Sequence, residues 1–227
     1  IDGSIRAGVD RGRFRQSFAA CGSRSSGFVP NRDHRTTGVS TQIGIGDRTR
    51  VLVAHLSKAF GADGFYGPSP SYEWTGQTLA VFEHAGGGSS GWQPAFQVAY
   101  RTHTDQFLWD VRRPDGFRSR HRTHAVAGTA RGVRAIGPST RLAIGVETAA
   151  DWIRSTTLGD HAVVRGAGFA ELQRAVGSRA AVYPGLRVDA YSVGGNAWSP
   201  SLSGVIQVAP TLRARASVGR AFRVPTF

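Results

Sequence analysis

The sequence predicts an all-β protein, an antiparallel up-and-down sheet of about ten or eleven strands arranged as a transmembrane β-barrel wall. Three observations carry this. Apolar residues recur with a period close to two over most of the 227 residues. Short turn signals alternate with longer polar stretches, as when hairpins run up and down. The apolar face carries modest residues (Val, Leu, Ile, Ala), while the other carries Arg, Asp, Glu, Gln and Tyr among many Gly and Ala. That suits a lipid-facing exterior and a wet interior, and in lipid only a closed sheet pairs every backbone group.

The elements follow in chain order. Ile5, Ala7 and Val9 alternate with Arg6, Gly8 and Asp10. Thr36 to Ile45, Arg48 to Ser57 and Glu73 to His84 read as strands. Phe96, Val98 and Tyr100 alternate with Gln97, Ala99 and Arg101, and Arg122 to Ala135 follows. Leu142, Ile144 and Val146 alternate with Arg141, Ala143, Gly145 and Glu147. Arg165 to Ala175 reads as a strand, although Phe169, Leu172, Gln173 and Val176 also fit the helical period. Arg179 to Tyr191, Ser201 to Ala209 and Thr211 to Gly219 complete the set. The last is the cleanest: Leu212, Ala214, Ala216 and Val218 against Arg213, Arg215, Ser217 and Gly219. Gly46-Asp47, Gly86 to Gly88, Ile136 to Ser139, Gly177-Ser178 and Ala209-Pro210 mark short turns. Gln16 to Arg35, Gly61 to Tyr72, Asp105 to Arg120 and Ser155 to Val164 read as long loops. Trp92, Trp152, Tyr191 and Trp198 stand near strand ends and suit an interfacial girdle; core or loop aromatics are the alternative.

Composition narrows the function. The chain has no Met, so Ile1 is not an initiator, and Ile1 to Gln16 has no apolar core of a signal peptide. No apolar run reaches the ~18 residues of a membrane helix. The single Cys21, read as lying in a polar loop, excludes a disulfide framework. The net charge of +13 comes from 27 Arg and one Lys, Lys58. Arginine spread along nearly every strand, almost without lysine, reads as GC-rich coding and not as a nucleic-acid surface, which needs a clustered basic face with aromatics.

Several segments resemble a known family. Ala216-Ser217-Val218-Gly219-Arg220-Ala221-Phe222-Arg223-Val224-Pro225-Thr226-Phe227 resembles a barrel signature of TonB-dependent outer-membrane receptors, in which a strand runs into a Phe-Arg-x-Pro-Thr-Phe turn. Ser25 to Arg35, with Gly27-Phe28 and Asn31-Arg32-Asp33, is similar to a loop of that family, as are Ser57 to Pro68 and Asn196 to Leu202. The branch resembled is the cobalamin-receptor-like one. The resemblance implies a barrel of about 22 strands with a plugged lumen. It therefore implies that residues 1–227 are one domain, the first half of the barrel, with the plug and the second half outside this sequence. It further implies a Gram-negative outer-membrane location and energy-coupled uptake of a metal chelate (siderophore) or cobalamin. The implied partners are TonB, through a plug-domain box missing from this chain, the ligand and outer-membrane lipid. Phe222, Arg223, Pro225, Thr226 and Phe227 carry an architectural role, Pro225 ending strand pairing because it lacks a backbone donor. No ligand contact transfers residue by residue, and no cofactor is implied.

Sharper readings weaken against bland ones. Gly87 to Gly91 matches Gly-x-Ser-x-Gly, but a nucleophile elbow needs a helix after it, and here a turn joins two strands. His121 and His124 point to opposite faces of a strand, with no Cys or carboxylate near in sequence to complete a metal site. No constellation supports an enzyme. Glu147, Glu171, Arg141, Arg187, Arg213 and Arg215 fall on the proposed inward face, where an ion-pair network is the better reading than an anion-attracting lumen. Arg112 and Arg113 beside Asp110 and Asp115 read as a solvated loop cluster. The alternative to the receptor is a soluble β-sandwich or propeller binding module, which would bury larger apolar residues between sheets. The receptor reading also expects unpaired edges on the first and last strands, and a fragment that is insoluble or self-pairing in isolation.

Overall fold

A computed structural model describes residues 1–87 and 91–222. Twelve strands follow one another: β1 (Asp2–Arg11), β2 (Phe14–Ser25), β3 (His34–Ile45), β4 (Thr49–Gly61), β5 (Tyr72–Ala85), β6 (Trp92–Leu108), β7 (Arg118–Gly137), β8 (Thr140–Ser155), β9 (Gly159–Val176), β10 (Ala180–Tyr191), β11 (Gly195–Ala209) and β12 (Leu212–Gly219). They form one antiparallel sheet in sequence order, the up-and-down pattern of a partial barrel. A sandwich needs two stacked sheets, and the single sheet removes that alternative. Among the described residues β1 and β12 are the terminal strands, each with one neighbour.

The sequence reading misses β2 and takes Gln16 to Arg35 as loop. In fact Phe14, Gln16, Phe18 and Ala20 alternate with Arg15, Ser17, Ala19 and Cys21, and both sets are small or mixed enough to blur the period. Cys21 therefore sits in a strand, not a loop, opposite Gly38. Two other loops shorten, to residues 109–117 and 156–158, because polar residues continue the strands beyond the apolar band. Gly168–Val176 is strand throughout, paired Gly168↔Val188 to Val176↔Ala180. Its helical period has no helix partner to face.

The chain divides into two compact units. The first comprises Ile1–Glu83, Val98–Val126 and Asp151–Ala162. Its registers carry one row Ile5–Ala20–Val39–His55 and, on the other face, Arg6–Ala19–Ser40–Ala54. The second comprises His84–Gln97, Ala127–Ala150 and Val163–Phe227. There Gly168–Val188–Trp198 share the apolar face and Phe169–Arg187–Ser199 the polar one. The β9–β10 ladder skips Tyr183 and Pro184, where proline has no N–H to give. At the β11–β12 bulge, Gln207 Nε2 donates to the carbonyls of Ala209 (2.6 Å) and Pro210 (3.2 Å).

Burial is inverted relative to a water-soluble fold. The buried apolar residues are few and mostly small: Ala62, Leu108, Ala149, Ile153 and Ala197. Ile5, Phe18, Val39, Phe96, Val98, Val146, Leu202 and Val218 are exposed along the apolar face. The accessible surface is 15389 Å² for 24.2 kDa. A globular chain of that mass exposes about 10,000 Å². No second layer covers the apolar face among the described residues.

Candidate functional site

Loops 26–33, 62–71 and 109–117 stand at one end of their strands and hold one another. Gly27 has φ +77°, and a Cβ there would meet the Arg32 carbonyl oxygen at 2.6 Å, so the turn demands glycine. Asn31 takes the left-handed conformation at φ 53°, which asparagine tolerates. Its side chain donates to the Ser71 carbonyl at 2.8 Å. Asp33 works twice: its carbonyl accepts from Gly61 N (2.9 Å) and its carboxylate from the Tyr72 hydroxyl (2.9 Å). Ala62 and Ser71 exchange two bonds, Ala62 N to Ser71 O (2.8 Å) and Ser71 Oγ to Ala62 O (3.0 Å), and both are buried. Val111 N then reaches the Pro70 carbonyl at 2.9 Å. Two of the four segments singled out by resemblance, Ser25 to Arg35 and Ser57 to Pro68, are thus two halves of one interlock.

Aromatics crown it. Tyr66 meets Phe65 and Phe107 edge-on at 4.8 and 5.0 Å, and Phe107 meets Trp109 at 6.2 Å. A Cβ on Gly67 would lie 2.9 Å from the Trp109 ring, so the close approach needs glycine. The Tyr66 hydroxyl donates to Glu73 at 2.8 Å. That bond first, then burial and the charges of Glu73 and Asp105, push the phenol up to about 12 from 10.0. Nearby, Arg112 grips Asp110 through Nε (2.9 Å) and Nη2 (2.8 Å), and holds its carboxyl down at about 2 from 3.8. The pair is a self-satisfied loop clamp; Arg112 is exposed, but the Asp110 side chain is only 13% accessible, less solvated than the sequence reading expects. The sequence reading does not single out Ser71, Tyr66 or Glu73; Tyr66 and Glu73 are seven apart and only the folded loop joins them.

On the polar face of the second unit, Arg187 joins Glu147 (2.7 Å) and Asp189 (2.9 Å). Glu147 lies on β8 and Arg187 on β10, so the pair spans β9, roughly 10 Å for two strand spacings. Only two long side chains crossing a small residue meet at that range, and Ala167 is opposite Asp189. The network expected there exists for Arg187 and Glu147. Arg213 donates to Gln207 at 3.2 Å, and Arg215 lines an open groove with Tyr183 and Ser203. Glu171 lies opposite Gly185 on the same face.

His121 and His124 separate as alternation requires. His121 meets Ser119 through Nε2 and Ser155 through Nδ1, both at 2.8 Å. Both ring nitrogens meet hydroxyls, so no carboxylate orients the ring as a Ser–His nucleophile pair needs. His124 bonds the Tyr100 hydroxyl at 2.7 Å and stacks on Trp152 at 5.0 Å. Among the described residues no three His, Cys, Asp or Glu converge as a metal site. Trp152 and Trp198 take the apolar face expected of girdle residues. Tyr191 shares the face of Arg187 and Asp189 instead, because it stands four and two residues beyond them on β10, and alternation puts it on their side. Phe222 meets Tyr191 edge-on at 5.9 Å. Arg223, Pro225, Thr226 and Phe227 lie outside the described residues, as do Gly88, Ser89 and Ser90 of the Gly-x-Ser-x-Gly match.

Comparison with known proteins follows the same line. A family model described as "TonB dependent receptor-like, beta-barrel" matches residues 10–227. No curated protein sequence matches. The structure of the FrpB iron transporter from Neisseria meningitidis is similar with a TM-score of 0.79 at 13% identity, over 99% of this chain and 45% of that one. The copper transporter OprC is similar with a TM-score of 0.77 at 12% identity, over 100% and 43%. The siderophore receptor PirA from Pseudomonas aeruginosa is similar with a TM-score of 0.74 at 16% identity, over 99% and 39%. This chain therefore spans less than half the length of each, and at such identities the likeness is one of fold. Twelve up-and-down strands and a family match across nearly all of their length lead to one conclusion: the chain belongs to the TonB-dependent receptor-like β-barrel family.

Proposed function

We propose that this chain is part of the barrel wall of a Gram-negative outer-membrane receptor that imports a metal chelate, a siderophore before cobalamin. One observation carries the membrane placement: the apolar face of strand after strand is left exposed, with Val146, Leu202 and Val218 more than half accessible. Such a face is costly in water and suited to lipid. Polar side chains on that face pair across strands, as His55 Nδ1 with Thr78 Oγ1 at 2.9 Å. The polar face, with Arg187, Glu147 and Asp189 satisfied among themselves, suits a wet lumen. Similar structures are those of an iron transporter, a ferric citrate transporter, a copper transporter and a siderophore receptor, which supports a chelate over cobalamin. TonB engages through a plug segment outside these residues, and the ligand passes with no bond made or broken.

The test is depth-dependent quenching by brominated lipids in single-tryptophan variants of the protein in vesicles. Trp198, 57% exposed on the apolar face, is expected to be quenched strongly, and loop residue Trp109 weakly. Equal quenching of both, or none, overturns the membrane placement. Uptake of radiolabelled iron chelates into cells expressing the full-length receptor, abolished by a protonophore, tests the transport reading.

A further inference from the structure

An unpartnered basic patch stands on the apolar face where β6, β7 and β8 approach connections 109–117 and 156–158. The register is set by Arg120 and Thr156: Thr156 N donates to Arg120 O (3.1 Å) and Arg120 N to Thr156 Oγ1 (3.0 Å). Counting inward puts His121 opposite Ser155, where their side chains are 2.8 Å apart, and His124 opposite Trp152, where the rings stack. Between these two checks, Arg122 falls directly opposite Arg154. Alternation places Arg120, Arg122 and Arg154 on the face of His124 and Trp152, away from His121. All three arginines are exposed, and among the described residues none makes a side-chain ion pair.

Like charges directly opposite on a sheet destabilise it. An anion between them would relieve the repulsion, and the guanidinium fork matches phosphate oxygens in pairs. The level is also informative. Below the arginines come the Tyr100–His124–Trp152 stack and then exposed Val98 and Val126. Apolar surface, aromatic belt and cations in that order reproduce the layers of a membrane leaflet, from acyl chains to headgroups.

We infer that Arg120, Arg122 and Arg154, seated on the Tyr100–His124–Trp152 stack, bind the phosphorylated headgroup of an outer-leaflet lipid. The arginines clamp the phosphate, and the stack takes the upper part of the acyl chains. This rests on the membrane placement proposed above.

The test is native mass spectrometry of the full-length receptor in non-ionic detergent, titrated with bis-phosphorylated lipid A. The wild-type protein is expected to retain a lipid adduct. Arg122→Gln/Arg154→Gln is expected to bind about thirtyfold more weakly, from about fivefold per juxtamembrane cation. Arg48→Gln/Arg179→Gln, the same charge loss in short turns, is expected to bind as wild type, and dephosphorylated lipid A is expected not to distinguish the proteins. A melt without lipid guards against misfolding: the Arg122/Arg154 variant is expected to be as stable as wild type or more so, because a repulsion is removed. Equal lipid binding by wild type and variant overturns the inference. So does displacement of the lipid by millimolar inorganic phosphate, which would make this a free-anion site. If the membrane placement itself fails, the protein stays in solution without detergent and no lipid binds any variant, a different result from loss of discrimination.

Discussion

Gly27→Ala strikes the interlock at its tightest turn. The backbone there has φ +77°, where an L-residue costs roughly 1–2 kcal/mol. The new methyl also meets the Arg32 carbonyl oxygen at 2.6 Å and its carbon at 2.7 Å, both backbone atoms that give little. Overpacking of this kind costs about 1–3 kcal/mol. Together they destabilise the closed loop by about 2–5 kcal/mol. The expected consequence is local, because Asn31 and Asp33 lose their seats against Ser71, Gly61 and Tyr72 while the strand ladders remain. When opening is fast relative to cleavage, proteolysis follows the open population. Trypsin is therefore expected to cut after Arg32 at least thirtyfold faster in the variant, at about tenfold per 1.4 kcal/mol. Gly3→Ala is the control, since its Cβ would meet nothing within 4 Å. Wild-type cleavage of Gly27→Ala under these conditions would refute the reasoning that the loop closes only through glycine at this position.

Other outcomes are expected. Glu147→Gln costs about 1 kcal/mol or less, because its pair with Arg187 is about one-third accessible and Arg187 keeps Asp189; chemical denaturation in detergent measures it. Asp189→Asn costs more, about 2 kcal/mol, because the nearly buried carboxylate takes charged hydrogen bonds from Arg187, and a variant as stable as Glu147→Gln would contradict this. Ultraviolet titration is expected to find a phenol ionising near 12 that disappears in Tyr66→Phe and moves toward 10.0 in Glu73→Gln. Because the folded value lies above the ordinary one, Tyr66 stabilises the loop fully below pH 10.0 and loses that contribution as pH rises through about 12. Asp110 runs the other way. Its folded value of about 2 lies below 3.8, so its contribution is full above that ordinary value and disappears as pH falls through about 2. Hydrogen exchange at the Arg112 amide, which donates to Asp110 Oδ1, is expected to quicken across that window in wild type and to show no such step in Asp110→Asn.

The strands were readable because barrel walls impose a strict two-residue period, and β12 shows it without a flaw. β2 was not readable. Its polar face is Ser17, Ala19 and Cys21, too close in character to Gln16 and Ala20 across the sheet for alternation to register. The interlock was visible only as a family likeness. Nothing in the composition of Ser25 to Arg35 says that Asn31 donates forty residues away to Ser71. The opposition of Arg122 and Arg154 was equally hidden, because register is set by pairing and turn length and not by either strand alone.

The sequence by itself determined the class of fold and the faces of every strand but β2, since alternation and turn chemistry are local properties of neighbouring residues, and its motifs carried the family likeness. The tertiary structure alone decided which residues face one another across strands and loops: Arg187 with Glu147 over β9, Tyr66 with Glu73, Arg122 with Arg154. Those meetings depend on strand register and loop closure, which couple residues far apart in the chain and leave no periodic trace in it.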